Sequence, residues 1–283
     1  MRQKQHTRLL ASTSLSLLCG LLIGSFGLLP STALQAPNPQ ERGVDANLYM
    51  QTAAEYAAVC LQTYNWALER LKQKLATAKH GELRPAVVMD LDETVLDNSG
   101  YQSFLYREKL ASTTQNWEVW EKSYSQEVRL VPGAKAFVEA AEQLGVTVVY
   151  LSNRTTKNQE GTIAALKHVG LNTDELANRL LLRDALPDKT ARRKLAEQRF
   201  NVLMYFGDNL RDFSEEFVAP GLNANDDAAQ QQAIAERLVK VQRANYHWGN
   251  DWIVLPNPAY GEWTRLLGNE PGKKFRPTEM KLP

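Results

Sequence analysis

The stretch that most constrains this chain is Ala86-Val87-Val88-Met89-Asp90-Leu91-Asp92-Glu93-Thr94-Val95-Leu96-Asp97-Asn98. An apolar run of strand length follows Arg84-Pro85 and stops abruptly in carboxylates. Short runs with β-branched residues fit a strand buried on both faces. Asp90 and Asp92 stand two apart, so they share a face of an extended chain. A turn just past the strand then crowds both carboxylates into one small space. Like charges held close in a dry setting are costly unless a cation or phosphate chemistry offsets them. Thr94 adds a hydroxyl, and Asn98 an amide that can orient its neighbours.

Three readings of this stretch compete. The first is an acidic loop that caps the next helix. The second is a calcium loop, since Asp90, Asp92 and Thr94 alternate as ligands do there. That loop needs Gly at its sixth position and Glu at its twelfth, where this chain has Val95 and Tyr101. The third is an aspartyl nucleophile, with Asp90 attacking and Asp92 as its acid/base partner. The rest of the chain decides among them.

The 283 residues carry a formal net charge of +1 and 43% hydrophobic content, a globular composition without a basic field for a nucleic-acid polymer. Residues 1–33 differ from the rest. Arg2, Lys4 and Arg8 precede an acid-free apolar run from Leu9 to Leu29, and Ser31-Thr32-Ala33 supplies the small residues a signal peptidase reads. An export signal cut after Ala33 is expected, with an uncleaved N-terminal anchor, and hence membrane association, as the alternative. Cys19 follows Leu18 and so lacks the small residue that precedes a lipoprotein cysteine. In the mature chain Cys60 stands alone, so no internal disulfide forms and its expected role is packing.

Residues 34–46, with Pro37, Pro39 and Gly43, are expected to form a linker. One α/β domain then spans 47–268, and 269–283 form a loosely ordered tail. A single long helix is predicted over Val44–Lys79, with Leu48, Ala53, Tyr56, Val59, Leu61, Trp66, Leu68 and Leu71 among its apolar members and packing against the domain that follows. An insertion at about 100–130 carries Tyr101, Phe104, Tyr106, Trp117, Trp120 and Tyr124, which as a set could stack on a flat substrate above the strand end. Further strands are predicted at Val146–Leu151, Arg179–Arg183, Asn201–Phe206 and Trp252–Leu255, with helices at Ala134–Leu144, Glu160–His168, from Lys189, and over 226–243. Strands alternating with helices at these spacings argue a parallel sheet with right-handed crossovers.

Polar residues follow the predicted strands: Asp90 and Asp92, Ser152 and Asn153, Asp208 and Asp212. Ligands of open parallel sheets bind beyond the strand carboxyl ends. Separately each has a bland reading, such as a helix cap for Ser152 or a solvated helix start for Lys189. Their joint occurrence in this order is hard to obtain by accident.

With these residues the chain resembles the haloacid dehalogenase-like (HAD) phosphohydrolases. Asp90-Leu91-Asp92-Glu93-Thr94, the strand end at Ser152, Lys189 and Gly207-Asp208-Asn209-Leu210-Arg211-Asp212 match the four motifs of that superfamily. Within it, Asp90 to Tyr101, Trp117 with Trp120, Ser152-Asn153-Arg154 and Leu255 to Trp263 resemble the class C bacterial acid phosphatases. The resemblance implies a HAD-like Rossmannoid sheet flanked by helices, with a mostly helical cap and the long N-terminal helix. It implies an exported enzyme of the periplasm or cell envelope that cleaves phosphate monoesters, nucleoside monophosphates among them. It implies Asp90 as nucleophile, Asp92 as acid/base and Mg2+ held by Asp90, Asp92 through its main-chain carbonyl, and Asp208, with Asp212 behind them. Ser152, Asn153 and Lys189 would hold phosphate, and Trp117 and Tyr260 would contact the leaving group. Competing readings are a catalytically silent binding or storage protein on this fold, a phosphotransferase, and an envelope scaffold built on the 44–79 helix. The oligomeric state stays open.

Overall fold

The apolar run after Arg84 lies at the centre of a five-stranded sheet. It forms β1 (Pro85–Met89), followed along the chain by β2 (Leu96–Asp97), β3 (Arg129–Leu130), β4 (Thr147–Thr155), β5 (Leu180–Arg183), β6 (Asn201–Gly207) and β7 (Trp252–Val254). The main sheet has the order β5-β4-β1-β6-β7, and its pairings are parallel. The computed structural model describes residues 38–77, 81–219 and 221–280. The expected export signal or anchor at 1–33, the start of the expected linker and residues 281–283 lie outside the described residues. No helix among the described residues is long and apolar enough to cross a membrane.

The central position of β1 explains its composition. Val87 and Met89 enter one core, with Tyr64, Phe137 and Phe206, while Ala86 and Val88 enter a second with Ala196 and Phe200. Alternate side chains thus feed a core on each face, which an amphipathic strand could not do. Because all five strands run the same way, Asp90, Ser152-Asn153 and Gly207-Asp208 emerge on one side of the sheet.

The helices follow the predicted alternation. In chain order they are α1 (Val44–Thr52), α2 (Ala54–Thr77), α3 (Ser99–Arg107), α4 (Thr114–Ser123) and α5 (Ala134–Gln143). Then come α6 (Gln159–His168), α7 (Leu176–Arg179), α8 (Thr190–Arg199), α9 (Asp227–Arg243) and α10 (Glu262–Arg265).

The predicted single helix over 44–79 is two helices. Ala53 adopts an extended conformation, with φ −79 and ψ 124, and separates α1 from α2. The buried face of α2 is Tyr56, Cys60, Tyr64, Ala67 and Leu71. Of the apolar residues in the pattern, Tyr56 and Leu71 are buried, while Leu48, Val59, Leu61 and Trp66 are exposed, Trp66 by 63%. The stripe that packs mixes Tyr56, Tyr64 and Leu71 with the small Cys60 and Ala67 at helical spacing, so a count of apolar side chains alone does not pick out the face. Tyr64 needs this burial to do its work, because its hydroxyl donates to the carbonyl of Thr94 at 2.6 Å and ties α2 to the turn after β1. Cys60 is buried and unpaired among the described residues, and burial pushes its thiol up to about 11, as befits a packing residue. The expected linker is also shorter, since α1 already starts at Val44 and Asn38 and Gln40 donate to the carbonyls of Tyr106 and Leu110 at 2.8 and 2.9 Å.

The insertion folds as α3 and α4 above an antiparallel β2–β3 ladder. Its helix α4 lies directly on α6. A Cβ built on Gly161 of α6 would stand 2.2 Å from the carbonyl oxygen of Glu121 on α4, so only glycine permits this approach. Gly161→Ala must therefore separate the two helices. It is expected to cost about 1–3 kcal/mol of stability, as overpacking typically does, read by chemical or thermal unfolding.

Candidate active site

The site is built at the carboxyl end of β1. The Asp90 N–H still belongs to the sheet, donating to the Phe206 carbonyl at 2.9 Å. The next residues wind tightly. Leu91 O accepts from the N–H groups of Val95 and Leu96 at 2.8 Å each, and Glu93 takes a left-handed φ of 56. That conformation is unfavourable for a residue with a side chain. The Glu93 carboxylate repays it by accepting from the Asn98 N–H at 2.8 Å and closing the turn. Glu93 is fully buried, and burial holds its carboxyl well above the usual range.

The turn sends the two aspartates into different surroundings. Asp90 points toward Asp208 and Asp212, and one carboxylate oxygen from each of the three lies within 4.8 Å of the others. Lys189 reaches into this group, its Nζ donating to Asp90 Oδ1 at 2.7 Å, Asp212 Oδ1 at 2.7 Å and the Leu151 carbonyl at 3.1 Å. Asp208 Oδ2 accepts from the Asn257 amide at 2.7 Å, and Asp212 Oδ2 from the Asn209 N–H at 2.9 Å. Gly207 makes room for this fold-back, since a Cβ there would stand 2.4 Å from the Asp212 side chain. Burial pushes Asp90 up to about 7; Lys189 opposes the rise, while Asp212 and Asp92 add to it. Burial, then Asp212 and Asp90, hold Asp208 well above the carboxylate range. Burial works against the charge of Lys189, but Asp212 and Asp90 outweigh it and raise its pKa.

One ammonium cannot compensate three carboxyl groups. A buried set of hard oxygen donors this close suits a divalent cation, which would relieve their repulsion. Asp92 lies outside the triplet: its carboxylate receives the Arg154 guanidinium at 2.7 Å and the Asn98 amide at 3.0 Å.

A cavity of about 190 Å³ opens over these groups. Asp90, Asp92, Asn153, Lys189, Asp208 and Asp212 line it, with Trp117 and Tyr260 at its sides. So eight of the nine site residues predicted from sequence share one space. Ser152 does not line it: it is fully buried, and its Oγ accepts from the Arg154 N–H at 3.1 Å. Side chains alternate along a strand, so when Asn153 faces the cavity its neighbour turns inward. Three further basic residues, Arg192, Arg193 and Lys194, follow Lys189 on α8, and their positions separate the four. Arg192 donates to Ser152 O and Asn153 Oδ1, Arg193 to the Arg211 carbonyl, and Lys194 is exposed.

The insertion aromatics do not act as a set. Tyr101 and Trp120 are core residues, while Phe104 and Tyr124 face a separate apolar groove of about 450 Å³. Trp117 alone among them reaches the acidic cavity, braced edge-on against Tyr101 with ring centroids 5.2 Å apart. Sequence reasoning assigned no role to Asn257, which couples Asp208 to the Tyr260 loop by accepting from the Tyr260 N–H at 3.2 Å. Its place between Pro256 and Pro258 was the available signal. Arg211, whose guanidinium bridges Glu215 and Glu262 at the cavity wall, gave none.

Residues 32–263 match the family model described as HAD superfamily, subfamily IIIB (acid phosphatase). The chain belongs to this family. Among solved structures it is similar to the class C acid phosphatase from Bacillus anthracis with tungstate bound, at 29% identity and a TM-score of 0.73, over 86% of this chain and 100% of that one. A second structure of the Bacillus anthracis class C acid phosphatase matches at the same identity and coverage with a TM-score of 0.72. The chain is therefore a HAD-fold acid phosphatase of class C, and that family implies a divalent metal for the aspartate cluster.

In this acid phosphatase the cap is fixed to the body beside the site. Glu121 of α4 is buried, and its Oε2 accepts from the Asn158 amide at 2.9 Å and the Thr155 N–H at 3.3 Å, just beyond the Ser152-Asn153-Arg154 segment. Burial raises the Glu121 carboxyl, with the Asn158 contact opposing the rise. A carboxyl raised in the folded state contributes most stability below its unfolded pKa, and that contribution is lost as pH rises through the folded value. Glu121→Gln carries no such loss. Its unfolding temperature, relative to wild type, is expected to climb as pH is raised from the ordinary glutamate range toward neutrality. A difference that stays flat across that range would contradict the assignment.

Proposed function

We propose that this acid phosphatase is an exported, Mg2+-dependent phosphomonoesterase that accepts nucleoside monophosphates and works through an aspartyl-phosphate on Asp90. The observation that carries this reading is the placement of Asp90. Its carboxylate meets Lys189 and stands within 4.8 Å of Asp208 and Asp212, with Asp92 on the same cavity wall. Asp90, Asp208 and the main-chain carbonyl of Asp92 would hold Mg2+, with Asp212 behind them; the ion would shield the nucleophile from an anionic ester.

The chain's own groups then divide the reaction. Asp90 attacks phosphorus as the ester P–O bond breaks, and Asp92 gives its proton to the departing oxygen. A water next attacks the phosphoaspartate while Asp92 takes its proton, releasing inorganic phosphate and restoring Asp90. Lys189 and the Asn153 amide bind phosphate oxygens as charge redistributes. Arg192 supports Asn153 in this, since it occupies Oδ1 at 2.7 Å and leaves the NH2 group for an anion. Ser152 serves from beneath, through its contact with Arg154. Trp117 and Tyr260 flank the opening and present flat surfaces to a base. Export rests on the acid-free apolar run between Leu9 and Leu29 after Arg2, Lys4 and Arg8.

A phosphate-release screen of monoesters tests the reading. Asp90→Asn is expected to lose at least on the order of 10³-fold in kcat, and chelation should abolish wild-type release until Mg2+ is restored. Undiminished turnover in Asp90→Asn would overturn the mechanism. Trp117→Ala or Tyr260→Ala should raise KM for nucleoside monophosphates about tenfold, within the range for a base stacked on an aromatic ring. The KM of a small alkyl phosphate should barely move, and equal rises for both substrates would reject the stacking role.

A further inference from the structure

Arg154 ends the segment Ser152-Asn153-Arg154 and has no part in the reaction as described. Its side chain is 1% exposed, which is rare for a guanidinium, and its charge faces Asp92. The contacts are unequal between the two carboxylate oxygens. Asp92 Oδ1 accepts from Arg154 Nη2 at 2.7 Å, Arg154 Nε at 2.9 Å and Asn98 Nδ2 at 3.0 Å. Among the described residues, Asp92 Oδ2 has only the longer contact with Nε, at 3.2 Å. Asn98 cannot turn its amide over, because its Oδ1 accepts from Trp120 Nε1 at 2.8 Å and Arg154 Nη2 at 3.2 Å. The Asn98 N–H is held in turn by Glu93.

We infer that Arg154, with Asn98, is a positioning residue that occupies Oδ1 of Asp92 and leaves Oδ2 as the oxygen that carries the proton in both half-reactions. The inference rests on the acid/base reading of Asp92. An oxygen that already accepts three hydrogens has no lone pair left for a proton, whereas Oδ2 does. A general acid that later acts as base must keep one oxygen within hydrogen-bond reach of both the leaving group and the incoming water. A carboxylate free to rotate would lose that reach; the bidentate fork of an arginine removes the rotation. In the first step the Oδ2–H proton passes to the ester oxygen as the P–O bond breaks. In the second, Oδ2 takes a proton from the water whose oxygen bonds to phosphorus.

The test is the dependence of kcat/KM on the leaving group, measured on the full chain with Mg2+ present. Arg154→Met, Arg154→Lys and, as a control, Asp92→Asn are compared across a series from ethyl phosphate to 2,4-dinitrophenyl phosphate. An alkoxide needs a proton to depart and a dinitrophenolate does not. Arg154→Met is expected to lose about 10²-fold on ethyl phosphate, the scale of general acid catalysis, and less than about threefold on the dinitrophenyl ester. Arg154→Lys, which keeps the buried charge without the fork, should show the same steepened dependence and serves if the Met variant does not fold. Equal losses on all esters in a folded Arg154 variant would mean a purely structural ion pair and would overturn the inference. If Asp92→Asn is itself flat across the series, the acid/base reading fails and takes the inference with it. A steep control with flat Arg154 variants defeats the inference alone.

Discussion

Holding three carboxyl groups closer than 4.8 Å in a buried site is the constraint around which this molecule is arranged. Such a cluster does not assemble by attraction. It exists because a parallel sheet delivers Asp90 and Asp208 from adjacent strands, and a tight reversal after Gly207 returns Asp212 to them. Lys189 arrives from the β5–α8 connection and stays charged because two carboxylates surround it. Remove Lys189 and the carboxyl groups around it lose the cation they share, a far larger penalty than the pairing gains.

Asp90 and Asp92 are two residues apart, yet the fold gives them opposite environments. Asp90 shares a crowded acidic space and burial pushes its carboxyl up, with Lys189 as the counterweight. Asp92 sits at the cavity edge, gripped on one oxygen by Arg154 and Asn98. The agent of this separation is the turn at Glu93, whose left-handed backbone is fixed by its own buried carboxylate. A local distortion thereby sets two similar side chains to different tasks.

Much of this was legible in the sequence, because the fold writes its site at strand ends. Apolar runs interrupted by carboxylates announced β1 and β6, and the alternation with helical segments announced the parallel sheet. Lys189 could be chosen over its basic neighbours only loosely, since all four stand at one helix start and only geometry separates them. The buried face of α2 was only partly legible, since Tyr56, Cys60 and Leu71 share it with Tyr64 and Ala67, while Leu61 and Trp66 of the same pattern face outward. The break at Ala53 carries no glycine or proline to announce it. Which of Ser152 and Asn153 faces the cavity depends on the register of β4, and a one-residue difference reverses every side chain. The grip of Arg154 on Asp92 spans 62 residues, beyond any local pattern.

The glycine contact between α6 and α4 has a consequence for the aromatic side of the cavity. With backbone pressed on backbone at Gly161 and Glu121 bonded beside the strand end, the roof over the cavity is continuous with its walls. Trp117 stands on the same helix as Glu121, so the ring at the side of the cavity takes its position from the body of the fold.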